Sequence, residues 1–332
     1  MPQRIFIHHH GALGDLLLSL PAINGVRKPD DLIHLAGRFD IVEFLKKTGY
    51  IHEGRDADSA FFLPLFMEES VHPLDEFLHG FDRIILFSAD RSSPLARNLL
   101  RVDPRTEIIL TLPPDGSRMH VSDFRTHQIG SAGLQGPHTN TALPGLTIPP
   151  FSRRDAEELL VREGFDFTSP LVAVHPGSGG RRKCWPLENY FALIETLLTK
   201  HGPFFLIFSG PAEGAEIRRK VEAFVRGKKM MLHVCDKDLI TVAALLSLST
   251  VYVGNDSGIS HLAAAVNGNV IVLFGPTDPV LWRPLGDRVQ VISSASHDAS
   301  VSSISTKEVY EGIAPFLSPR REVAPDVGIK GR

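Results

Sequence analysis

The sequence predicts an α/β protein with two parallel sheets facing one cleft, and two observations carry that prediction. Strand-like apolar runs alternate with helical patterns, most regularly after residue 170. This is the pattern of a parallel sheet covered by helices on both faces. Two distant segments also share one layout. Gly14-Asp15-Leu16-Leu17-Leu18-Ser19-Leu20-Pro21 follows Ile5-Phe6-Ile7, and Gly254-Asn255-Asp256-Ser257-Gly258-Ile259-Ser260-His261 follows Val251-Tyr252-Val253. Each opens a helix after a strand and a glycine-containing turn, where the free amides of the first turn point at a ligand.

In the first half the expected elements are strands over 5–9, 32–36, 83–87 and 107–112 and helices over 15–28 and 92–101. Pro21 is expected to start a second short helix, because proline suits a first helical position and not an interior one. Residues 113–150 are rich in Pro, Gly, Thr and His and end in Leu146-Thr147-Ile148-Pro149-Pro150, a connection between domains. In the second half, strands over 171–175, 204–208, 230–234, 251–254 and 270–274 alternate with helices over 187–201, 212–225, 239–247 and 258–266. The spacing of Ile304, Val309, Ile313 and Leu317 predicts a last amphipathic helix. The expected domains are 1–150 and 151–318, with 319–332 as a flexible tail.

At 332 residues the chain is too long for one core of ordinary size. Hydrophobic residues form 43% and charged residues 22% of it, a globular balance. A net charge of −3 does not indicate a general nucleic-acid surface. Two cysteines, Cys184 and Cys235, argue against a disulfide scaffold and fit a reducing compartment. No signal-peptide layout is visible, since His8, His9 and His10 break the first apolar stretch. No run approaches the roughly 18 apolar residues of a membrane span. In a strand only His8 and His10 share a face. They either pack against the cleft or hold a metal.

Four segments could carry chemistry. After the strand ending at His175 comes Pro176-Gly177-Ser178-Gly179-Gly180-Arg181-Arg182-Lys183, glycines followed by three cations. Such a loop can bring amides and the Lys183 charge to phosphate oxygens, or it can be a solvated surface loop. Phe208-Ser209-Gly210-Pro211-Ala212-Glu213 places an acid in an expected first helical turn, where it caps the helix or accepts from ribose hydroxyls. At Asp256-Ser257-Gly258 the amides of a helix start suit a diphosphate, which a carboxylate aimed at it would repel. Asp256 therefore caps the helix or takes sugar hydroxyls, and His261, on the face of Gly258, donates to a phosphate or packs. Asp15 is the sharpest candidate. It is either an N-cap or a base that takes a proton from an incoming hydroxyl, opposite a phosphate site.

Together and in this order, these blocks resemble glycosyltransferase family 9, the ADP-heptose:lipopolysaccharide heptosyltransferases. The residues that carry the resemblance are Leu13-Gly14-Asp15-Leu16-Leu17-Leu18-Ser19-Leu20-Pro21-Ala22, His175-Pro176-Gly177-Ser178, Lys183 with Trp185-Pro186, and Gly210-Pro211-Ala212-Glu213. The strongest block is Val253-Gly254-Asn255-Asp256-Ser257-Gly258-Ile259-Ser260-His261, continued by Phe274-Gly275-Pro276-Thr277-Asp278-Pro279. The resemblance implies a GT-B architecture of two Rossmann-like domains, with the sugar acceptor on the N-terminal one and the nucleotide-sugar on the C-terminal one. It implies an inverting transfer without metal or other cofactor, and a cytoplasmic enzyme. By position it makes Asp15 the general base and sets Lys183 before the donor phosphates, Gly258 and His261 at the diphosphate, Glu213 at the ribose and Asp256 at the sugar. His175, Gly177, Ser178, Gly210 and Ser257 complete the expected donor set.

The chain departs from the family pattern on the acceptor side. His8-His9-His10-Gly11-Ala12 stands where the family has a basic residue and small hydroxyl residues, and the strand ending Leu86-Phe87-Ser88 lacks an acid-glutamine ending. His10, Gly11, Arg97 and Arg101 are the expected acceptor contacts, the arginines meeting an anionic lipopolysaccharide core or lying on a solvated face. A membrane-held acceptor calls for peripheral docking on the inner membrane, for which Arg320, Arg321, Lys330 and Arg332 are the available cations. Two other functions use the same architecture: a nucleotide-sugar epimerase, and a non-catalytic nucleotide-sugar-binding protein.

Overall fold

In the computed structural model, which describes residues 1–67, 73–131, 146–210, 213–266, 268–294 and 300–317, two parallel sheets are built in succession. The first half contains β1 (Arg4–His9), α1 (Leu13–Val26), β2 (Leu32–Gly37), α2 (Phe39–Lys47), β3 (Glu53–Asp56), a 3-10 segment (Ala60–Phe66), α3 (Pro73–His79), β4 (Arg83–Ser88), α4 (Pro94–Val102), β5 (Glu107–Leu110) and α5 (Val121–Ser131). Its strands pair in the order β3-β2-β1-β4-β5, all parallel. The second half contains α6 (Pro150–Arg162), β6 (Leu171–His175), α7 (Leu187–His201), β7 (Phe204–Ser209), α8 (Ala215–Val225), β8 (Met231–Cys235), α9 (Leu239–Leu248) and β9 (Val251–Asn255). It closes with α10 (Gly258–Val266), β10 (Val270–Phe274), α11 (Pro279–Trp282), β11 (Val289–Ser293) and α12 (Thr306–Leu317). That sheet runs β11-β10-β9-β6-β7-β8, again parallel throughout.

The central strands are apolar on both faces because helices cover both: β6, β7 and β10 are buried at every residue. Capping follows ordinary chemistry where it is visible. Ser93 accepts from the Ala96 amide at the start of α4, with Pro94 in the first turn, and Gly202 ends α7 at φ 61 in the left-handed region.

Most expected elements form within a few residues of their predicted ends. One correction concerns Pro21: α1 runs unbroken through it. Leu16, Leu17, Leu18 and Leu20 before it, and Ile23 and Val26 after it, are all buried. That burial offsets the hydrogen bond a proline cannot donate. A second correction concerns α8, which begins at Ala215 and leaves Glu213 in the preceding loop. Five helices, α2, α3, α5, α6 and α11, and the strands β3 and β11 were not expected, since none shows a long apolar period. The tail cations Arg320, Arg321, Lys330 and Arg332 lie outside the described residues.

Strand order determines where a site can form. In each sheet the chain reverses direction across the sheet at one place, between β1 and β4 in the first and between β6 and β9 in the second. Loops leaving the carboxyl ends of such strand pairs diverge to opposite faces and open a crevice. Both motifs of the sequence, after β1 and after β9, sit at these two points.

Candidate active site

The two halves meet where α1 and α10 begin. A Cβ on Gly14 would lie 3.1 Å from His261 Cδ2, and one on Gly258 would lie 3.0 Å from Leu13 Cβ and 3.2 Å from the Gly14 nitrogen. These two glycines let the helix starts approach each other. Lys47 in α2 pairs with Asp238, the N-cap of α9, at 3.1 Å, and the His120 ring is 2.9 Å from the Arg283 carbonyl oxygen. Both contacts also join the halves.

Two cavities flank this junction. The larger, about 590 Å³, is walled mainly by the first half and includes His8, His9, His10, Gly11 and Asp15. The other, about 360 Å³, is walled by Ala12, Leu13 and Gly14 from the first half and by His175, Ser178, Gly210, Glu213, Ser257 and Gly258 from the second. Both volumes suit small-molecule sites. The segment 11–15 therefore separates them, with Gly11 and Asp15 on one side and the three residues between on the other.

Asp15 lies in the first turn of α1, whose N-cap is Ala12, so its expected role as N-cap is not what the fold uses. Its carboxylate meets Arg125 at 3.3 Å. Arg125, in α5, is fully buried and also donates to the Asp15 and Thr111 carbonyls and to Ser19 Oγ. Burial lowers its pKa from the ordinary value, and the Asp15 charge opposes that shift. No local pattern marks Arg125 in the sequence, because it sits in the Pro- and His-rich stretch. It supplies a positive charge beside Asp15. His9 is buried with Nε2 2.9 Å from Ser19 Oγ, and burial together with the Arg125 charge lowers its pKa to about 3. His10 is exposed and pairs with Asp58 at 2.8 Å. Among the described residues no group of three His, Cys, Asp or Glu is arranged to hold a metal ion.

On the other side, Glu213 is buried against His175 (Oε1 to Nε2 3.2 Å) and accepts from the Gly210 amide at 2.5 Å. Burial raises its pKa, but the His175 contact and that amide more than offset it, and the carboxyl stays below its ordinary value. Gly177 makes this possible: a Cβ there would fall 1.6 Å from Glu213 Oε1. Its glycine is thus accounted for by packing under Glu213, and it does not line the cavity.

Asp256 is tied to Lys183 Nζ at 2.8 Å and accepts from Thr277 Oγ1 at 2.7 Å, while Ser178 Oγ donates to its backbone carbonyl. Lys183, Asp256 and His261 line neither cavity. His261 is buried, and burial holds its pKa at about 4. The residue that arranges these loops is Asn255, fully buried. Its side-chain Oδ1 accepts from the Trp185 amide and Tyr190 hydroxyl, both at 3.0 Å, and its side-chain Nδ2 donates to the Pro176 carbonyl at 2.8 Å. The sequence displayed Asn255 inside its strongest motif, but nothing local showed that it clamps a loop some seventy residues away. Arg97 and Arg101 are exposed on α4 and line neither cavity.

Two parallel-sheet units with switch points facing one cleft define the GT-B class. Over residues 115–310, more than half its length, the chain matches glycosyltransferase family 9 (heptosyltransferase), and it belongs to that family. It is 35% identical over 127 residues to lipooligosaccharide heptosyltransferase 2 of Haemophilus influenzae, covering 37% of this chain and 36% of that one. It is 25% identical over 184 residues to lipopolysaccharide heptosyltransferase 2 of Salmonella typhimurium, covering 53% and 52%. The chain thus spans about a third to a half of the length of these curated relatives. The solved ADP-heptose lps heptosyltransferase II of E. coli superposes with a TM-score of 0.76 at 18% identity, over 95% of this chain and 98% of that one. At that identity the likeness speaks for the fold.

Proposed function

We propose that this chain is an inverting, metal-independent glycosyltransferase. It moves a sugar, taken as heptose, from a nucleoside diphosphate such as ADP to a lipopolysaccharide core or related glycan. The reading takes residues 1–150 as the acceptor half and 151–318 as the donor half. Family membership supports the reaction class. The observation that carries the reading is the segment 11–15, which puts the Asp15 carboxylate in one cavity while its neighbours wall the other.

The acceptor hydroxyl loses its proton to Asp15 and attacks the anomeric carbon of the donor. The bond from that carbon to the diphosphate breaks, and its electron pair leaves with the diphosphate. Arg125 grips the backbone and carboxylate of Asp15 and so positions the base. Charge gathering on the diphosphate is met by the amides at the start of α10 and by Lys183, which Asp256 holds nearby. The satisfied Glu213–His175 pair shapes the nucleotide side and offers carboxylate lone pairs to ribose hydroxyls. Unpaired Cys184 and Cys235 fit the cytoplasm. Among the described residues no helix is long and apolar enough to cross a membrane, and a lipid-held acceptor would be met at the inner membrane surface.

Incubation with ADP-heptose and a core oligosaccharide should release ADP only when acceptor is present. Asp15→Asn should cut turnover about 10³-fold, the scale of a lost general base, with ADP affinity unchanged within about twofold by titration calorimetry. Near-normal transfer by that variant removes Asp15 from its role. Isomerised donor without ADP release would point to an epimerase instead, and binding without either reaction to a non-catalytic protein.

A further inference from the structure

The cavity that holds Asp15 has a chemical character of its own. Its wall carries Phe66, Phe87 and Leu112 from the first half and Trp282 from the second, and among its described lining residues there is no lysine or arginine. Two basic side chains beside it are already engaged. Arg125 is buried behind Asp15 and spent on that residue, Ser19 and Thr111, and His10 is balanced by Asp58. An anionic group entering here would face the Asp15 carboxylate with no lysine or arginine among the described lining residues to meet it.

His8 adds the second observation. It lines the cavity, is fully buried, and neither ring nitrogen has a hydrogen-bond partner. Its neighbours are aromatic, with Phe62 and Phe66 ring centroids at 6.1 and 6.3 Å. Buried polar atoms without partners are uncommon and call for an explanation. Burial lowers the His8 pKa to about 4, so at neutral pH the ring offers one donor and one acceptor and no charge. A sugar hydroxyl, itself donor and acceptor, complements such a ring, and the C–H face of a pyranose suits an aromatic wall.

We propose that this cavity receives an uncharged sugar unit of the acceptor, a neutral hexose or heptose whose hydroxyl is presented to Asp15, with His8 as a binding residue for a neighbouring hydroxyl. Acidic and phosphorylated sugars are disfavoured in that position. The assignment rests on the transferase reading above and narrows its acceptor.

The test uses the full chain with ADP-heptose as donor and two matched acceptors, a methyl hexopyranoside and the corresponding methyl hexopyranosiduronate with its carboxylate free. The neutral acceptor should show a kcat/KM at least about tenfold higher. His8→Leu should raise the KM for the neutral acceptor at least about fivefold and leave the donor KM unchanged. Leu112→Arg, at a half-exposed side chain, should shift the preference toward the uronate at least about threefold. Transfer to the uronate at equal or higher efficiency by the unaltered chain overturns the neutral-acceptor assignment and leaves the transferase reading standing. An acceptor KM unmoved in His8→Leu overturns the role of His8. No transfer to either acceptor overturns both readings together.

Discussion

The two sides of the cleft use their polar groups in opposite ways. On the donor side they are paired with one another: Glu213 with His175 and Gly210, Asp256 with Lys183 and Thr277, Asn255 with Trp185, Tyr190 and Pro176. The loops after β6, β7 and β9 are thereby held before any ligand arrives. On the acceptor side Asp15 is braced through Arg125, His9 by Ser19 and His10 by Asp58, while much of the wall is aromatic and neither ring nitrogen of His8 has a hydrogen-bond partner. A site that must recognise a fixed nucleotide gains from loops already in place. A site that admits a sugar unit can leave its hydrogen bonds to be completed by that sugar.

This contrast can be tested, beginning with the largest expected effect. His8, His9 and His261 are buried neutral, with pKa values lowered by burial to about 4, 3 and 4. Their stabilisation is fully present above the unfolded value near 6.5 and is lost as pH falls toward these folded values, because the unfolded chain binds the protons first. Each should cost roughly 1.3 kcal/mol of stability by pH 5.5, about 4 kcal/mol for the three together. Urea denaturation at pH 7.5 and 5.5 reads this directly, and a flat profile would contradict the neutral burial of these rings.

Next is Asn255→Ala, which strips partners from the Trp185 amide, the Tyr190 hydroxyl and the Pro176 carbonyl. A loss of about 2–3 kcal/mol is expected from the groups left unsatisfied, with ADP affinity falling while acceptor binding holds. Equal weakening of both ligands would mean that the two sides are not separately organised. The smallest effect is reserved for Arg97→Ala and Arg101→Ala on the exposed face of α4. Acceptor KM should change less than about twofold, as for surface residues away from a site. A larger rise would bring these arginines back into acceptor binding.

How much was legible depended on whether the signal was local. The strand runs, the helix starts at Gly14 and Gly258, and the acids Asp15, Glu213 and Asp256 could be read because each lies within a few residues of its own context. Arg125 could not. It reaches Asp15 across 110 positions, from a helix without apolar period. Gly177 was read as making room for phosphate, whereas the group that needs the room is the Glu213 side chain. Pro21 was read as a helix boundary because local rules count the missing hydrogen bond and not the burial of both flanking turns.

By itself the sequence determined most of the succession of strands and helices, the places where amides are left free, and the family to which their order belongs. These follow from backbone geometry and the period of apolar residues, which act over short distances along the chain. Only the tertiary structure decided what each polar group meets: Asp15 with Arg125, Lys183 with Asp256, Glu213 with His175, and His8 with aromatic rings but no hydrogen-bond partner. Those pairings depend on distances between residues far apart in sequence, and burial sharpens them by making an unpaired polar group costly. The divided cleft is a property of the folded chain alone, because it exists only where two switch points are pressed together at Gly14 and Gly258.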